Sequence, residues 1–211
     1  MAEVHGVQTQ GLAPHVSPAG RTDGEIARLL LLGAGVSAER IDDGAAAVRE
    51  ACTRFYTELC PPSLADKVVP GIPALLRWLD GRDDIRLSLV TGNYEPVARL
   101  KLARAGIGAH FPAGQGGFGS DSEDRSDLPA IARRRAGADG VPYPRETTVV
   151  IGDTPRDIAC ARADGVRCLA VTTGPFDAEQ LHEADGIAER PGRLRELLAA
   201  ELATCGRASC S

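Results

Sequence analysis

From residue 68 onward, short apolar runs alternate with helical patterns, and this alternation restricts the chain's fold more than any other feature of the sequence. Residues 86–90 (RLSLV), 147–151 (TTVVI) and 167–171 (RCLAV) read as strands. Helical periodicity is expected over 72–79, 95–105, 126–135, 155–163 and 191–202. Strands that are apolar along their length, rather than on every second residue, must be covered on both faces. The expected fold is therefore α/β, a parallel sheet sandwiched between helices. Residues 1–67 lack this alternation. Helices are expected from Gly24 to about Gly33 and over 43–59, where Val48, Cys52, Phe55, Tyr56 and Leu59 form one stripe before Pro61 and Pro62 end it. The chain thus divides into a small helical unit (1–67), an α/β unit (68–203) and a tail (204–211) expected to fray.

Two of the strands end in residues suited to chemistry. Ligands of open α/β sheets collect at the carboxyl ends of the strands, where loops and helix N-termini converge. One strand runs into Thr91-Gly92-Asn93, and another into Gly152-Asp153-Thr154-Pro155-Arg156-Asp157. Gly152 permits a tight turn, Pro155 suits a first helical turn, and Asp157 lies one turn beyond Asp153. Hard carboxylate oxygens in that place suit Mg²⁺, which takes one or two protein carboxylates and leaves its other positions to water and phosphate. Capping of the following helix is the competing role for both aspartates.

Composition excludes several function classes. With 24 basic against 29 acidic residues, and a formal charge of -5, there is no basic surface suited to nucleic acid. No apolar run approaches the roughly 20 residues that cross a bilayer. The first residues lack the basic and apolar regions of a secretory signal, so cytoplasmic residence is expected. The six cysteines form no Cys-x-x-Cys pair and read as reduced, mostly small core residues. His5, His15, His110 and His182 are scattered and read as non-catalytic. Arg133, Arg134 and Arg135 read as a solvated helix end.

The strings "LVTGN" and "GDTPRDIACARADGVRCLAVTTG" resemble motifs two and four of the haloacid dehalogenase-like (HAD) hydrolases, in their phosphoglycolate phosphatase-like branch. "AGRTDGEIARLLL" resembles the start of that branch's helical cap, and "VVPGIPALLRWL" its return to the core. The resemblance implies a Rossmann-like core, a cap inserted after the first strand, and Mg²⁺-dependent hydrolysis of a small phosphorylated metabolite through an aspartyl-phosphate. It also implies roles: Thr91, the Gly92 backbone and the Asn93 amide on the phosphoryl oxygens, Asp153 on the metal, and Asp157 supporting the metal or orienting a cation. That cation is Arg125, or else Lys101. Arg21, at the cap edge, would meet a substrate anion. Each has an ordinary alternative: Thr91 as a turn residue, Arg125 and Lys101 as surface or structural charges, Arg21 in a surface pair.

The family's first motif, a strand ending in Asp-x-Asp-Gly-Thr with the nucleophilic aspartate first, has no match here. "RTDGE" has Arg21 at the nucleophile position and no strand before it, and "IDDGA" has Ile41 there. The expectation is that the central first strand is missing from the sheet and the chain is inactive as it stands. The neighbouring strands would then pair directly, 87–90 with 149–151, or remain as open edges. A non-catalytic protein that binds phosphate or metal is the rival reading. Dehalogenation of a 2-haloacid on the same fold, which needs no metal, is a further one.

Overall fold

The computed structural model describes residues 1–208, with side chains through Ala203. Helices α1 (Ala2–His5), α2 (Asp23–Gly33) and α3 (Ala38–Leu59) occupy the first third. Thr22 and Ser37 accept hydrogen bonds from Glu25 N and Arg40 N, which satisfies amide groups that an uncapped first turn leaves free. Leu31, Val36 and Ile41 pack together between α2 and α3, against Met1 and Val7. The second helix begins five residues earlier than periodicity suggests, because Ser37 caps it ahead of its apolar stripe.

The rest alternates: α4 (Ile72–Asp80), β1 (Val90–Thr91), α5 (Glu95–Arg104), β2 (Gly117–Phe118), α6 (Leu128–Ala136), β3 (Val149–Gly152), α7 (Pro155–Ala163), β4 (Arg167–Val171), β5 (Gly186–Ala188) and α8 (Pro191–Ala208). The last helix runs past residue 203, where fraying was expected, and residues 209–211 lie outside the described ones.

All strand pairs are parallel, but the sheet is in two pieces. β1 pairs with β2, and β3, β4 and β5 pair in that order. The direct pairing of 87–90 with 149–151 does not occur. Of the first apolar run only Val90 becomes strand, continued by Thr91, although Leu87 still packs with Leu75, Leu79 and Leu169. An apolar run specifies burial; a ladder also needs a neighbour, and β1 has one on a single side. β2 was unforeseen because its glycines read as a loop, yet Phe118 is fully buried.

β4 explains its own continuous apolarity. Cys168 and Ala170 face a cluster with Val150, Ile158, Ala161 and Leu181 under α7, whereas Leu169 faces Leu75, Leu79, Leu194 and Leu198 of α4 and α8. Both faces are covered, as the unbroken pattern requires. The arginine run departs from expectation: Arg133 is buried, and its Nε and Nη2 reach the two oxygens of Asp164 at 2.6 and 2.8 Å. A helix end packed against the end of α7 has no solvent to offer, so the charge is paired instead.

Candidate functional site

The two motif turns stand at the carboxyl ends of β1 and β3, and one short segment touches both. That segment, residues 20–23, enters α2. A Cβ on Gly20 would lie 2.6 Å from Thr154 Oγ1 and 2.8 Å from Arg156 Cβ. At the other end, Asp23 N donates to Gly92 O at 2.7 Å. Three residues of extended chain reach about 10 Å, so with a short contact at each end the two turns lie within about 15 Å of one another.

Gly92 is glycine for space. A Cβ there would overlap the Arg21 carbonyl oxygen and lie 2.8 Å from Thr22 Cα, so the entry to α2 could not sit where it does. Thr91 Oγ1 accepts from Asn93 N at 3.2 Å, and Gly119 N is shared by the Thr91 and Asn93 carbonyls, at 3.0 Å each. Asn93 is held at both ends of its amide. Lys101 Nζ donates to Oδ1 at 2.8 Å, and Nδ2 donates to Asp23 Oδ1 at 3.1 Å. The other Asp23 oxygen accepts from Tyr94 N at 2.8 Å. Lys101 Nζ also stands 5.1 Å from the centre of the Tyr56 ring, so its charge is already engaged.

In the second turn the two aspartates have different tasks. Asp157 is 3% exposed, and its Oδ2 accepts from Asp153 N, Thr154 N and Thr154 Oγ1 at 3.1, 2.9 and 2.8 Å. Its other oxygen bonds Arg125. It closes a capping box with Thr154, leaving no lone pair directed outward for a metal. A Cβ on Gly152 would overlap the Asp157 carboxyl, so Gly152 supplies room rather than an unusual turn conformation.

Asp153 is the carboxylate left over. Among the described residues its side chain takes no hydrogen bond from another side chain, and one of its oxygens stands where a Cβ of Gly174 would be. Burial, and then the nearby Asp157 charge, push its pKa up, outweighing its own amide and the Arg125 charge, which pull it down. A desolvated carboxylate with no side chain bonded to it fits a hard cation, but a protein-only cage is absent: no group of three or more metal-ligating side chains occurs among the described residues.

Arg125 lies between Asp157 and a cavity of about 300 Å³ lined by Glu25, Glu123, Ser126 and Arg156, and its Nε is buried with no partner. Arg21 bonds Glu25 and donates from Nε to Ser17 O at 3.0 Å. Sequence reading had passed over Asp23, whose only signal was its place in the "TDG" string, and Tyr94, which gave none.

The profile of the haloacid dehalogenase-like hydrolases matches residues 10–162, and a second HAD hydrolase-like profile matches 128–199. The chain is 34% identical over 138 residues to a phosphoglycolate phosphatase of Rhodospirillum rubrum, covering 65% of this chain and 54% of that one. It is 29% identical over 143 residues to the probable phosphatase IndB of Dickeya dadantii, covering 66% and 58%. It thus spans little more than half the length of these relatives. A crystal structure of a hydrolase from Pseudomonas syringae has the same fold, with a TM-score of 0.61 at 20% identity over 94% of this chain and 87% of that one. The profile match runs through both motif turns and residues 20–23 that touch them, and on that footing the chain belongs to the haloacid dehalogenase-like hydrolase family.

Proposed function

We propose that this chain carries the phosphate- and metal-holding part of a magnesium-dependent phosphomonoesterase, phosphoglycolate phosphatase-like, that acts on a small phosphorylated metabolite. The observation that supports it most is the convergence of Thr91-Gly92 and Asp153-Thr154 at the carboxyl ends of two parallel strands, both touched by residues 20–23. Relatives named as phosphatases support the same reading.

The Thr91 hydroxyl and the Gly92 backbone would meet the phosphoryl oxygens. Arg125, held by Asp157, would neutralise charge on the transferring group, which is most of what a protein contributes to phosphoryl transfer. Lys101 is occupied by Asn93 and the Tyr56 ring, which favours Arg125 for that role. Asp153 would hold Mg²⁺, and bound there the ion would offset phosphate charge. Arg21 and Arg156, at the mouth, would meet the rest of an anionic metabolite. The covalent step needs an aspartate as acceptor. Residues 1–211 contain no Asp-x-Asp string, and the carboxylate that meets the Thr-Gly-Asn turn among the described residues, Asp23, is bonded to Asn93 and Tyr94. We place the nucleophile on a strand seated between β1 and β3. Binding without turnover is accordingly the reading for these residues alone.

The test titrates the 211-residue chain with inorganic phosphate, with and without Mg²⁺, and assays p-nitrophenyl phosphate. Binding is expected, its Mg²⁺-dependent part disappearing in Asp153→Asn, with turnover at background. Mg²⁺-dependent turnover by this chain would refute the placement of the nucleophile; phosphate binding indifferent to Asp153→Asn would remove that residue from the metal.

A further inference from the structure

We infer that Asp23 is a positioning residue that couples the helical cap to the phosphate-facing turn through the polarity of the Asn93 amide. The inference rests on the reading of that turn as a phosphate site, but its geometric part can be tested separately.

The Asn93 side chain is a relay with a forced direction. Lys101 is a pure donor, so the amide oxygen must face it; Asp23 is a pure acceptor, so the amide nitrogen must face the cap. The two charges thereby fix Asn93 from opposite sides, one from α5 and one from the start of α2. The second Asp23 oxygen takes Tyr94 N, and the Asp23 amide donates to Gly92 O, so one cap residue makes three contacts with consecutive residues of the turn. Lys101 is shielded on its far side by the Tyr56 ring of α3, a second cap element. Cap seating and turn geometry are therefore one event: a cap that lifts takes Asp23 away and leaves the amide free to rotate.

The carboxylate matters for its two equivalent acceptors. Asp23→Asn keeps the shape but offers one oxygen to two donors. Either Asn93 loses its partner, or it inverts to accept from the new amide and turns its own NH₂ toward the Lys101 ammonium. Asp23→Asn combined with Asn93→Asp restores the order of donors and acceptors: the carboxylate at 93 accepts from Lys101 and from the amide at 23, whose oxygen takes Tyr94 N.

The chain has two lysines, Lys67 and Lys101, and Lys67 is a control with 74% of its side chain exposed. The experiment measures reductive methylation of each lysine by peptide mass spectrometry, together with inorganic phosphate binding in Mg²⁺, for the wild-type chain, Asp23→Asn and the double variant. In Asp23→Asn, Lys101 reactivity relative to Lys67 is expected to rise about tenfold, as expected for loss of a hydrogen bond to a charged group, and phosphate binding to weaken to a similar degree. The double variant is expected to return Lys101 reactivity toward wild type, while the negative charge it sets at the phosphate-facing turn keeps phosphate binding weak. A general loss of stability would not be repaired by that exchange. Should Asp23→Asn fail to fold, Asn93→Ala carries the same expectation for Lys101. Unchanged Lys101 reactivity in the folded variants, or no return of that reactivity in the double variant, would overturn the inference. If Lys101 responds as described but the wild-type chain binds no phosphate, the coupling stands and the phosphate reading falls. If phosphate binds and is indifferent to Asp23→Asn, the positioning role falls and the phosphate reading survives.

Discussion

Gly92 and Gly106 are both glycine for reasons that a substitution can separate. Gly106, past the end of α5, has φ +74° and nothing within 4 Å of where a Cβ would stand, so Gly106→Ala meets only backbone strain. A non-glycine residue in the left-handed region costs about 1–2 kcal/mol. At Gly92 the obstacle is the Arg21 carbonyl, part of a backbone segment pinned by the Asp23 bonds. Overpacking of that kind typically costs about 1–3 kcal/mol and here displaces the cap entry as well. Gly92→Ala is therefore expected to lower the melting temperature by at least as much as Gly106→Ala. Only Gly92→Ala should increase protease cleavage near residues 17–22. Equal proteolysis of the two variants would show that the 20–23 segment is not held by this contact. The same crowding explains why Gly92, legible in the sequence as part of a turn, was not legible as the seat of the cap: the clash is with a residue some 70 positions earlier.

At the scale of elements, α6 and α7 are tied by the Arg133–Asp164 pair, with Arg145 Nη2 a further 3.2 Å from Asp164 Oδ1. Burial pushes the Asp164 pKa up, but the hydrogen bonds and charges of Arg133 and Arg145 outweigh it and hold the group below the ordinary carboxylate range. A carboxylate depressed in the folded state contributes stability above its unfolded pKa of about 3.9, and that contribution is lost as pH falls through the lower folded value. Removing one partner strands the other: Asp164→Asn or Arg133→Met is expected to cost about 3–5 kcal/mol at neutral pH. The deficit of Asp164→Asn should shrink as pH drops below about 4, because the unfolded wild-type chain then binds a proton that the folded carboxylate resists. Urea midpoints at pH 7 and pH 3 measure this; a deficit that does not change with pH would mean the loss is one of packing rather than charge. Periodicity placed α6 correctly and misjudged its end, since a run of three arginines reads as solvent-facing until the partner aspartate, 31 residues on, is brought against it.

For the molecule as a whole, the open feature is the break in the sheet between the β1–β2 pair and the β3–β4–β5 set. Among the described residues β1 and β3 each pair with one neighbouring strand, and Ile151 on β3 is 43% exposed although its neighbours Val150 and Leu169 are buried. A parallel strand seated against these free edges would pair them and cover part of Ile151. Every backbone group relieved of an unsatisfied, partly buried state is worth about 1–3 kcal/mol, against a total stability of about 5–15 kcal/mol for a domain. Extension of the 211-residue chain at its N-terminus by an apolar strand ending in Asp-x-Asp is expected to raise the melting temperature by at least 5 °C, since about 2–4 °C accompanies each kcal/mol in a chain of this length. It should also suppress any self-association through the exposed edges. An extension that leaves both the melting temperature and the association state unchanged would mean the edges need no partner. The sequence by itself determined the α/β class, the parallel pairing, the helical first third and the two motif turns, because each is written in local periodicity and in residues adjacent along the chain. The family resemblance had set Asp153 on the metal and Asp157 in a supporting role, but residue type alone does not separate the two in the string Gly-Asp-Thr-Pro-Arg-Asp. The tertiary structure supplied the physical difference: the helix cap and Arg125, distant in sequence, engage Asp157. It likewise decided that Asn93, Lys101 and Asp23 form one relay and that the first apolar run yields a single residue of strand, Val90. Hydrogen-bond partners and neighbouring strands are supplied by residues far apart in the chain, and their positions are fixed only when the whole core packs.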